Sequence, residues 1–111
     1  MFSGFIPFLL NEELSYALNN SAGYGMLVQH VIPGTLADKL GFKGGNISVV
    51  IGRKPVLLGG DILLEIAGQA ITDLASAIKI KQRLASYDKG DKISFKYVRN
   101  GIVKDIYWIV E

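Results

Sequence analysis

The stretch from His30 to Gly45, HVIPGTLADKLGFKGG, constrains this chain more than any other, because it forces a helix of barely one turn between two extended segments. An apolar, strand-like run from Met26 to Ile32 ends at Pro33-Gly34, a pair that breaks either regular structure. Thr35 stands where an N-cap is needed, and Gly41 ends the segment where glycine is favoured after a helix. Within Thr35 to Leu40, the side chains of Leu36, Ala37 and Leu40 share one inward face. Leu36 and Leu40 are therefore expected to plug the open end of a small β-structure, which a longer helix would overshoot.

The remaining elements are equally short. Phe5 to Leu10 is an extended apolar run, and Pro7, which lacks an N–H to give to a ladder, confines it to an edge or a strand start. Asn11 caps a short helix with Glu12 and Glu13 in its first turn and Leu14, Ala17 and Leu18 on one face. Asn46 to Ile51 and Lys54 to Leu58 read as a hairpin turning at Gly52, set between Gly44-Gly45 and Gly59-Gly60. Asp61 to Ala67 is the next strand, with a turn at Gly68 and a short extended Ala70-Ile71. Thr72 or Asp73 caps the longest helix, which runs to about Tyr87. Lys92 to Arg99 and Ile102 to Val110 form a hairpin across Asn100-Gly101, and Ile93, Phe95 and Tyr97 alternate with polar residues as in a half-buried strand. The expected fold is α+β: a partly open barrel or sandwich of about five to seven short strands with two to three helices, in one domain over residues 1–111.

Composition narrows the function classes. Half of the 111 residues are apolar, which suits a single core. Twelve basic against ten acidic residues, with no basic block, give no nucleic-acid stripe. The absence of cysteine removes disulfides, thiolate metal sites and thiol chemistry. No apolar run approaches the ~20 residues of a membrane-spanning helix. The N-terminus carries no signal-peptide pattern, and its abrupt Met-Phe-Ser-Gly start is expected to mark a piece of a longer protein.

Against this background, GMLVQHVIPGTLADKLGFKGG resembles the PDZ-domain pattern of the bacterial trypsin-like proteases of the HtrA/Deg family. GGNISVVIGRKPVLLGGDILLEIAGQAI resembles the inserted hairpin and Gly-Gly-Asp-apolar-apolar of a subset of those domains, and DKGDKISFKYVRNG their Lys-x-Gly-Asp strand and closing turn. Any one fragment is weakly specific, but their order is not, and the resemblance runs from Gly4 to Val110. It implies a PDZ-like fold with an inserted hairpin, and a job: binding a C-terminal or extended apolar peptide as an added strand between one edge strand and the longest helix. The implied loop and strand are Gly4, Phe5, Ile6, Pro7, Phe8 and Leu9. There Phe5-Ile6-Pro7-Phe8 stands for the family's aromatic-apolar-Gly-apolar, so that proline removes one donor for a terminal carboxylate.

On the helix, Ala77, Ile80 and Leu84 form one row, and Leu74, Ile78, Lys81 and Ala85 another. Lys81 is more readily kept wet at a groove wall than inside, which assigns Leu74, Ile78 and Lys81 to the groove; the alternative is that both rows are core and Lys81 snorkels. Catalysis is not expected: the one histidine, His30, lies inside a predicted strand with no nucleophile turn. Asp61, Asp88 and Asp91 occupy strand starts or turns, where aspartate serves local hydrogen bonds, so neither a metal nor another cofactor is expected. Lys79, Lys81 and Arg83 form a solvated basic strip. The resemblance implies a substrate-recruiting or regulatory domain attached to a serine protease of the periplasm or cell envelope, with unfolded or C-terminal polypeptide as partner. The alternative is a docking domain whose groove is filled by its own chain or a neighbouring subunit.

Overall fold

The computed structural model describes residues 4–111; the opening Met1-Phe2-Ser3 lies outside them. Among the described residues eight strands and three helices follow one another as β1 (Phe5–Leu10), α1 (Glu12–Ala17), β2 (Gly25–Val31), α2 (Leu36–Lys39), β3 (Ile47–Ile51), β4 (Lys54–Leu58), β5 (Ile62–Ile66), β6 (Gln69–Ala70), α3 (Leu74–Ala85), β7 (Lys92–Arg99) and β8 (Ile102–Ile109). The strand order β1-β2-β5-β7-β8 is antiparallel throughout; β6 adds to β5, and β3-β4 forms its own two-stranded sheet. The sheets do not close into a barrel, so the architecture is the mixed, open sandwich expected, with the two-residue β6 as the additional strand.

Central strands β2 and β5 are covered on both faces, so consecutive residues are buried in opposite directions. Val28 and Leu63 point into one apolar cluster with Ile66, Ile71, Ile80, Leu84, Ile93 and Phe95. Leu27, Ile62 and Leu64 point into a second, against Leu14 and Leu18 of the α1 segment and Val49, Val56 and Leu58 of the β3-β4 hairpin. Helices α2 and α3 thus close one face of the sheet, while α1 and the hairpin close the other.

The one-turn helix does plug the first cluster, but with a different residue. Ala37 is fully buried, whereas Leu36 and Leu40 are only half-buried. The next inward side chain is Phe42, whose ring meets Phe95 and Tyr97 edge-on with centroids 5.9 and 5.2 Å away. The helix is too short for a leucine row to form a seal: Ala37 is what it buries, Leu40 packs only partly against the cluster, and the bulk comes from Phe42, just after Gly41. Thr35 caps it as expected, its hydroxyl accepting from the Asp38 N–H. In α1, Ala17 is exposed, and Ser15 turns inward beside Leu14 and Leu18. The longest helix ends at Ala85, two residues short of the expected Tyr87.

Two long-range devices set the hairpin and the sheet. Between Ile6↔His30 and Pro7↔Val28 the register slips, leaving Gln29 as an extra residue of β2. Its side-chain amide behaves as a piece of strand: Nε2 donates to the Leu57 carbonyl at 2.9 Å and Oε1 accepts from the Leu57 N–H at 2.7 Å. This tethers β4 to β2. Asp61, expected to serve a local turn, instead reaches across the chain. It takes a two-pronged contact from the Arg99 guanidinium at 2.8 and 2.7 Å and accepts from the Lys43 N–H at 2.8 Å. Arg99 also donates to the Gly41 carbonyl. The side-chain hydrogen bond to Asp61 raises the Arg99 pKa above its ordinary value.

Candidate peptide-binding edge

Strand β1 is one edge of the main sheet: it pairs with β2 on one side, and among the described residues no strand lies on the other. The sequence builds this edge locally. Pro7 cannot donate to a ladder, which suits an edge position. Gly4 sets the entry with φ +113°, and a Cβ there would fall on the Thr35 side chain; its carbonyl accepts from the Ile32 N–H at 2.6 Å. Gly4 is therefore needed where the edge strand abuts the cap of α2.

The side chains of β1 divide between two directions. Phe5 packs against the first cluster, which also holds Ile80 and Leu84 of α3. Phe8 and Leu10 belong to the second, on the side of α1 and the hairpin, so the structure does not bring Phe8 to the helix. Ile6 and Leu9 are exposed apolar side chains, and Pro7 is exposed between them.

Helix α3 begins at a capping box in which Asp73 Oδ1 accepts from the Ser76 N–H at 2.8 Å and Ser76 Oγ accepts from the Asp73 N–H at 3.0 Å. The box turns Ser76, Ile80 and Leu84 inward. Leu74, Ile78 and Lys81 then lie outside, with Leu74 70% and Ile78 49% exposed. The reading in which both rows are core is thereby excluded. Of the basic strip, Lys79 and Lys81 are exposed, while Arg83 donates to the Ala67 carbonyl at 2.8 Å and so braces the β5-β6 turn.

The arrangement offers an unpaired strand edge, exposed apolar side chains and one cation from Lys81. His30 is exposed on β2 opposite Ile6. Asp88 and Asp91 meet at their own turn, where Asp91 Oδ2 accepts from the Asp88 N–H at 2.7 Å, while Asp61 is committed to Arg99. Among the described residues no three His, Asp or Glu side chains gather as a metal cluster, and no helix is long and apolar enough to cross a membrane. Sequence reasoning missed Gln29 and the Asp61–Arg99 pair. Only the polar Gln29 within an apolar run signalled the first, and no local pattern signals the second.

No family model matches the chain. Over 97 residues, 87% of its length, it is 32% identical to a protein of Haemophilus influenzae described as a probable periplasmic serine protease Do/HhoA-like. The chain spans 17% of that protein's length. This similarity supports a relationship with the HtrA-type serine proteases.

Proposed function

We propose that the chain is a PDZ-type module of an HtrA-like serine protease, non-catalytic by itself, which binds apolar C-terminal or extended peptide segments to recruit substrate or regulate the protease. The observation that carries this reading is the unpaired outer edge of β1, the kind of edge on which a peptide adds as a further strand. Exposed Ile6 and Leu9 on the strand, with Leu74, Ile78 and Lys81 on α3, would supply side-chain contacts. Gly4 and Phe5 would shape the entry, while Pro7 and Phe8 would contribute main chain. The name of the Haemophilus influenzae relative supports a periplasmic or envelope location for the attached protease. Pro7 favours a second reading, a docking domain whose edge is covered by its own chain or a neighbouring subunit, because proline leaves the edge one donor short.

Fluorescence anisotropy with labelled peptides ending in an apolar residue distinguishes the two. The expected dissociation constant is tens to hundreds of micromolar, weakened at least about tenfold by Ile78→Asp, which puts a charge on the exposed row of α3 without disturbing the core. Absence of binding at millimolar peptide, or equal binding by the variant, favours the docking reading.

A further inference from the structure

The opposite edge of the sheet, β8, is built differently from β1. It pairs with β7 over all eight residues, from Ile102 to Ile109, without a bulge, and contains no proline. Edge strands are commonly protected by such interruptions, which β1 has and β8 lacks. The exposed face carries Val103 at 52% and Tyr107 at 61% exposure, with Ile109 also exposed.

We propose that β8 pairs antiparallel with β8 of a second copy of this chain, extending the two sheets across a two-fold axis at Ile106. The commitment to a second copy rests on self-complementarity. A two-fold axis perpendicular to the sheet keeps each residue on its own face, so the axis must pass through a residue position. Centred on Lys104 or Asp105, the strand sets two like charges against each other. Centred on Ile106, it sets Val103 opposite Ile109 and Asp105 opposite Tyr107 on the outer face, with Lys104 opposite Trp108 on the other. These are apolar, hydrogen-bonding and cation–aromatic pairs of the kinds that stabilise cross-strand contacts. This edge is remote in strand order from β1, so the pairing is independent of peptide binding.

Sedimentation equilibrium of the 111-residue chain up to about 1 mM tests the pairing. A monomer–dimer equilibrium is expected. Tyr107→Asp, which opposes Asp105 twice, should weaken it about tenfold, and adding Asp105→Lys should restore it to within about threefold. Val103→Lys, opposite Ile109, should weaken it on its own, and it decides the matter if circular dichroism shows Tyr107→Asp unfolded. A monomer at every concentration overturns the proposal. So does a dimer indifferent to the folded variants, or a folded double variant that fails to restore association.

Discussion

Asp61→Ala is expected to lower the stability of the chain by about 3 kcal/mol, measured by urea denaturation. Asp61 is almost fully buried and is the shared acceptor for the Arg99 guanidinium and the Lys43 N–H. Removing it leaves the half-buried Arg99 guanidinium without its partner and a loop amide without its acceptor; where both partners are enclosed, such a loss costs about 3–5 kcal/mol. Because the Arg99 side chain remains a quarter exposed and recovers some hydration, the lower end of that range applies. Asp61→Asn retains an oxygen for Lys43 but not the charge, and should fall between the two. A loss below about 1 kcal/mol for the alanine variant would show that the pair is screened like a surface ion pair.

Gly60→Ala should cost a similar amount, about 3 kcal/mol, for a steric reason. The glycine pairs flanking the hairpin are the places where backbone crosses backbone. A Cβ on Gly44 would lie 2.7 Å from the Gln29 carbonyl oxygen, one on Gly45 2.6 Å from that of Leu57, and one on Gly60 would strike the Val28 carbonyl and the Gly45 amide. The neighbours cannot part freely, because the Gly45 N–H donates to Gln29 and the Val28 N–H donates to the Asp61 carbonyl. Gly52, at the hairpin tip, meets nothing within 4 Å. Destabilisation of less than about 0.5 kcal/mol in Gly60→Ala would mean that the crossing relaxes easily.

What could be read from the sequence was local. Asn100-Gly101 dictates a tight hairpin, and both residues adopt the left-handed region, at φ 53° and 76°. Of the two cap candidates, Thr72 and Asp73, it is Asp73 that starts the longest helix, accepting from the Ser76 N–H, and the amphipathic rows of α3 follow from its period. The same reasoning placed too much weight on leucine in the mini-helix, because side-chain size says nothing about how closely its backbone approaches the core. It also missed partners distant in sequence: Asp61 and Arg99 lie 38 residues apart, and Gln29 and Leu57 28 apart, so no periodicity links them. At the candidate site, the exposed row Leu74, Ile78 and Lys81 was legible from spacing and charge. The direction of Phe8 was not, since a strand's alternation does not say which face a helix will cover.

Peptide addition to the free edge of β1, the function proposed above, can be followed residue by residue in solution. Its most direct test is a nuclear magnetic resonance titration of isotopically labelled chain with a peptide ending in an apolar residue. Backbone shifts are expected to concentrate in Phe5–Leu10 and Leu74–Ala85, with amide exchange slowed along β1 as its outer edge acquires a strand partner. Shifts confined to the β3-β4 hairpin, or none at millimolar peptide, would contradict it.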